Sequence, residues 1–215
     1  MATTVDLGTL VAPIRSTGLL LGEDRRQRPV LLRMFGPKTV RLSAVGSVWF
    51  GQLLVFRALA LGARVIVRTT SPQQWQNLGS TATQRLDRLH VTSGDQQPYA
   101  IGGPAQPLLI LDDFGQIGAS ITAMPWLAHL TLLRQLTPRG VNTLKDADVV
   151  LLQRLSSSEA EIATAVLRLE QRNAMRVQAL FDDMVAVVGG EIDRHASLTP
   201  TPIEQELLGP PGRRD

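Results

Sequence analysis

Short apolar runs alternate with segments of helical period along most of the chain. Residues 65–67, 108–111 and 149–152 are apolar at every position. A strand with one wet face alternates, whereas one covered by helices on both faces does not, so these runs predict a mostly parallel, buried sheet. Further strands are predicted at 39–45, 89–92, 129–134 and 184–188. Between them, 48–61 is helical, with Trp49, Leu53, Phe56 and Ala60 on one face and Gly62 as its stop. Ser71-Pro72 opens a second helix carrying 73–78, and Ser156 to Glu159 is a capping box ahead of a helix over 156–170. Near the start, 19–22 and 29–35 flank the charged turn 23–28 and read as a hairpin. The expected architecture is a three-layer α/β domain with an N-terminal β-hairpin added at one edge. Residues 1–16 form an arm, 17–193 the single domain, and the polar, Pro-rich 194–215 a flexible tail.

Composition narrows the chemistry. The 215 residues include no Cys, which excludes disulfides, thiol catalysis and Cys-based metal sites, and His90, His129 and His195 are too widely spaced for a His-rich one. Net charge is +3, yet twenty of the 22 cations are Arg; the only lysines are Lys38 and Lys145. With nine aromatics and a modest charge there is no nucleic-acid footprint. The most apolar stretch, 48–61, is interrupted by Gln52 and Arg57 and is shorter than a membrane span. The start of the chain has no basic, apolar leader. A cytoplasmic protein is expected.

Ligands of open α/β sheets gather beyond the carboxyl ends of the strands. After the strand 39–45 the chain reads Gly46-Ser47-Val48-Trp49-Phe50-Gly51-Gln52-Leu53, the Gly-x4-Gly frame of a phosphate loop between strand and helix. Such a loop continues with Lys, which neutralises the β- and γ-phosphates, and with Ser or Thr, which holds Mg²⁺. Here those positions are Gln52 and Leu53, and the interior residues Val48, Trp49 and Phe50 are too bulky for a cradle of backbone N–H groups. Gly46, Ser47, Gly51 and Gln52 are therefore candidates for a vestigial phosphate loop. Downstream, Leu108 to Leu111 followed by Asp112-Asp113 has the pattern of a Walker B strand, where one acid orients Mg²⁺ and the next polarises water. Asp112 and Asp113 are metal candidates only if a Mg-nucleotide binds; otherwise they close a buried strand with an Asx turn.

The order of these elements resembles a degenerate FtsK/EccC-type P-loop ATPase domain. VRLSAVGSVWFGQLLVFRALALGARVIVRT, PLLILDD, DADVVLLQRLSSSEAE and SLTPTPIEQELLGPP are similar to small proteins of actinobacterial type VII secretion loci, over roughly 17–209. The resemblance implies a RecA-like core, and the spacing of about 60 residues from loop to acids, with another strand between them in sequence, suits the additional-strand class of P-loop ATPases. It also implies protein partners, a secretion ATPase or further copies of the chain. The family's catalytic Lys and Ser/Thr do not carry over to Gln52 and Leu53, and only Asp112 and Asp113 match its acids.

The expected function is therefore a non-catalytic, P-loop-like scaffold or accessory protein, with no cofactor. The alternative is a nucleotide-binding protein or weak NTPase that holds phosphates on Gly46–Gly51 N–H groups. A small-molecule enzyme with the loop 93–107 as a lid is a third reading. The cluster Arg25, Arg26, Arg28 and Arg33 is a solvated turn or a site for phosphate or an acidic partner. No Gly-x-Ser-x-Gly elbow or Gly-x-Gly-x-x-Gly fingerprint is present.

Overall fold

The computed structural model describes residues 18–76, 78, 87–94, 100–115, 120–189 and 194–213. The arm expected at 1–16 lies outside them, as do parts of the helix expected at 73–78 and of the loop 93–107.

Ten strands form one sheet: β1 Leu19–Glu23, β2 Pro29–Leu32, β3 Val40–Val45, β4 Arg64–Thr69, β5 Leu89–Thr92, β6 Leu108–Gly115, β7 Leu127–Leu133, β8 Val149–Leu152, β9 Met184–Gly189 and β10 Arg194–Ser197. Their order is β2-β1-β10-β9-β8-β3-β7-β6-β4-β5. From β8 to β5 all neighbours are parallel. The four strands on the other side join antiparallel. The parallel part carries the unbroken apolar runs; every residue of β7 is buried. β7 lies between β3 and β6, so one added strand separates the loop strand from the acid strand. The hairpin β1–β2 is the antiparallel addition at the edge.

Helices cover both faces. The described ones are α1 Val48–Ala60, α2 Val141–Lys145, α3 Ser157–Leu167, α4 Gln171–Gln178 and α5 Pro202–Leu208. Helix α1 buries Phe50, Leu53, Leu54 and Ala58 on the β3, β4, β6 and β7 face, together with Leu208 of α5. The opposite face packs Val45, Leu133, Val150 and Leu152 against Leu144, Ala160, Ala163 and Val177. The helix expected over 156–170 ends early, at Leu167, because Arg168 turns left-handed (φ 54°); α4, from Gln171, is a further helix beyond the expected one. No helix among the described residues is long and apolar enough to cross a membrane.

The C-terminal segment departs from expectation. Residues 194–197 form β10, which joins β9 to the hairpin strand β1. Thr201 then caps α5 with a capping box closed by Glu204. The polar text misleads because several of its apolar and charged residues point inward: Ala196 and Leu198 are fully buried, and Glu204 and Arg213 nearly so. Arg57 of α1 fixes this end of the chain. Its guanidinium donates to Leu20 O (2.9 Å), Leu21 O (2.8 Å), Leu198 O (2.9 Å) and both carboxylate oxygens of Glu204.

Candidate functional site

The parallel strands bring the sequence candidates to one end of the sheet. Gly46-Ser47 follow β3, Asp112 and Asp113 lie in the carboxyl half of β6, Arg134 follows β7 and Gln153 follows β8. A cleft of about 660 Å³ opens there, lined among others by Gly46, Ser47, Trp49, Arg134, Leu208 and Arg213.

Between Gly46 and Gly51 the chain makes no open loop. Ser47 is already the N-cap of α1, with its Oγ accepting from Phe50 N. Val48, Trp49 and Phe50 form the first helical turn. The N–H groups that would face a phosphate are largely taken by protein acceptors. Gly46 N donates to Leu133 O (3.0 Å) and Gly51 N to Ser47 O (3.2 Å). Ser47 N and Oγ both donate to Gln153 Oε1 (2.8 and 3.1 Å). Both glycines of the frame have packing reasons for lacking a side chain. A Cβ on Gly46 would stand 2.6 Å from Gln153 Oε1, and one on Gly51 2.8 Å from Leu132 Cδ2 and 3.0 Å from Trp75 Cη2. Gln52 donates to Gln74 O, and Leu53 is a fully buried core residue. Trp49 packs at the cleft wall and donates its indole N–H to Gly209 O (3.0 Å).

The acids sit inside β6 and not in a turn after it. Register explains their partners: Arg68 and Thr69 of β4 lie opposite Asp112 and Asp113, and cross-strand neighbours of this kind meet directly. Arg68, wholly buried, donates Nε to Asp112 Oδ1 (2.6 Å) and Nη2 to Oδ2 (2.8 Å). His129 of β7 donates its Nε2–H to the same Oδ2 (2.8 Å). Asp113 accepts from Thr69 Oγ1 (3.0 Å), Trp75 Nε1 (3.0 Å) and Arg134 Nε (2.9 Å) and Nη2 (2.7 Å). Each carboxylate thus has its own guanidinium. A magnesium ion would have to displace these contacts and strip the buried Arg68 of its two-point carboxylate partner. The acids do not fit a Mg-nucleotide in this arrangement, and among the described residues no cluster of three or more His, Asp or Glu forms a metal site.

A third ion pair closes the cleft. Glu159 of α3 accepts from Leu136 N and Ser156 N (both 2.9 Å). It also pairs with Arg213, whose guanidinium donates further to Arg154 O (2.6 Å) and Arg134 O (3.0 Å). Gln153, Arg134 and Arg213 are absent from the sequence candidates. Gln153 was findable by the rule that located Gly46, since it too directly follows an apolar strand; Arg213, far off in a Pro-Gly stretch, carried no signal.

The same carboxylates make stability acid-sensitive. Burial alone would raise the pKa of Asp112, Glu159 and Glu204. Hydrogen bonds from His129 and Arg68, from Arg213, Leu136 and Ser156, and from Arg57 and Thr201 respectively outweigh it and hold all three below their ordinary values. The unfolded chain therefore binds protons first. The stabilisation is complete above the ordinary values of 4.5 and 3.8 and is lost as pH falls through the lower, folded ones. Urea midpoints measured from neutral pH downward are expected to stay level to about pH 5 and then fall steeply; a midpoint unchanged to pH 3 contradicts the charged networks.

No protein-family model matches the sequence, and no curated protein matches it. Solved structures do. VirB4 of Thermoanaerobacter pseudethanolicus is similar over 88% of this chain and 98% of its own, at 9% identity and a TM-score of 0.61. The genome packaging NTPase B204 from Sulfolobus turreted icosahedral virus 2, in complex with sulfate, is similar over 78% of this chain and 98% of its own, at 9% identity and a TM-score of 0.50. At such identities the likeness speaks for architecture alone: the chain has an α/β fold like that of these two proteins.

Proposed function

We propose that this chain is a non-catalytic, P-loop-like α/β protein that acts through protein–protein contacts as an accessory or scaffold, in type VII secretion as its sequence resemblance suggests. The observation that carries the reading is the fate of the phosphate-loop N–H groups: Gly46, Ser47, Phe50 and Gly51 all donate within the protein. Gln52 and Leu53, facing Gln74 and the core, supply neither cation nor metal ligand. The partners proposed are a secretion ATPase or further copies of the chain, in the cytoplasm.

A second reading, a nucleotide-binding protein or weak NTPase, is favoured by one observation: the cleft beside Gly46 and Ser47 stays open, with Arg134 on its wall. Titration with a fluorescent ATP analogue and Mg²⁺ separates the two. The expected result is no saturable binding up to millimolar nucleotide. Saturable micromolar binding that is lost in Trp49→Ala or Arg134→Ala overturns the scaffold reading.

A further inference from the structure

A cluster of arginines lies away from the cleft. Asp24 closes the β1–β2 turn as an Asx turn: its Oδ1 accepts from Arg26 N (2.8 Å) and Arg28 N (3.0 Å), and Gln27 turns left-handed at φ 57°. This geometry throws Arg25 and Arg26 outward. Strand β10 enters beside β1, bringing Arg194 at its first position, and α4 adds Arg176. Arg25, Arg26, Arg28, Arg176 and Arg194 thereby line one groove of about 610 Å³. Only Arg28 among them has a carboxylate partner among the described residues, Asp24 (2.7 Å). That pair displays how the groove takes a carboxylate: guanidinium and backbone N–H converge on it, and the Arg28 side chain above all lowers the Asp24 pKa to about 2.

An apolar feature adjoins the groove. Leu20 and Leu31 lie directly opposite each other across β1 and β2, and each is 49% exposed. Pro29, on the groove wall, is two residues from Leu31 and so shares its face of β2. We infer that this surface, a five-arginine groove continued by the Leu20–Leu31 pair, docks an acidic polypeptide segment that also carries apolar side chains. Guanidinium forks match carboxylates in two-point contacts, and the leucine pair gives the segment's apolar residues a place to be buried. A nucleic acid fits less well: among the described residues His195 offers the groove one small ring and no Phe, Tyr or Trp lines it to stack successive bases, and a phosphate backbone has no use for exposed leucines. The inference rests on the protein-contact reading above and names the chemistry of the partner.

The test is fluorescence anisotropy with the full-length chain. The probe is a labelled peptide with a run of glutamates followed by alternating Leu and Ser, made in both orders. Saturable binding is expected, weakened at least about tenfold in Arg25→Glu/Arg26→Glu and again in Arg194→Glu, and severalfold in Leu20→Ser/Leu31→Ser. All these side chains are exposed or half-buried, so circular dichroism should report an intact fold. Failure of both peptides to bind, equal affinity in the reversed variants, or equal or tighter binding of tripolyphosphate or a single-stranded oligonucleotide of matched charge overturns the proposal. The nucleotide titration reads a different end of the sheet, so either result can fail without the other.

Discussion

Replacing Asp112 with Ala is expected to cost about 3–5 kcal/mol of folding stability, the range for removing one partner of a buried ion pair. Arg68 has no exposed surface and would keep its charge without its two-point partner, and the His129 Nε2–H would lose its acceptor. Equilibrium urea unfolding measures the change. The sign discriminates between two roles for the same residue. An acid retained for metal or nucleotide chemistry is commonly neutral or destabilising to the fold, so that its removal leaves stability level or raised. An acid retained to neutralise a buried arginine gives the opposite. A double replacement, Asp112→Leu with Arg68→Met, should recover much of the loss, since an apolar pair of similar volume removes both desolvation penalties. An unchanged midpoint in Asp112→Ala would remove the structural role assigned to this strand end.

Arg213→Met is expected to be nearly as damaging, about 3–5 kcal/mol, although the position lies two residues from the end of the sequence. It strips Glu159 of its cation while Leu136 N and Ser156 N continue to hold the carboxylate in place, and it leaves the Arg154 and Arg134 carbonyls without a donor. Glu159→Gln in the same chain should return part of the loss by removing the buried charge. Thermal and urea unfolding of the two single variants and the double variant give the coupling directly. A change below about 0.5 kcal/mol, the ordinary effect of a surface substitution, would restore the picture of a loosely held terminus.

The two predictions mark where the sequence was readable. The parallel strands were legible because burial on both faces leaves an unbroken apolar run, and α1 because Trp49, Leu53, Phe56 and Ala60 recur at helical spacing ahead of Gly62. The positions of Gly46 and Asp112 followed from the rule that ligand-facing residues trail the strands. What the residues do there was not legible. The partners of Asp112 and Asp113, namely Arg68, His129 and Arg134, come from other strands, and pairing across a sheet is set by strand order, which local periodicity does not carry. The Gly46 and Gly51 frame likewise read as backbone freedom, whereas the side chains pressing on them, Gln153, Leu132 and Trp75, arrive from distant segments. At the C-terminus, β10 and α5 are too short and polar to announce themselves, and α5 is recognised only by its Thr201 cap.

The seat of β10 sets an order of assembly on the ribosome. The β1–β2 hairpin is synthesised well before β10, yet its ladder to the rest of the sheet runs through Ser197, opposite Glu23. Arg57 can grip the Leu20 and Leu21 carbonyls early, but the edge of β1 waits unpaired until β10 has emerged. Contacts so remote in sequence form late and slowly, and a waiting strand edge is open to mispairing. A strand made late is therefore the stitch that joins an early hairpin to the core of the sheet.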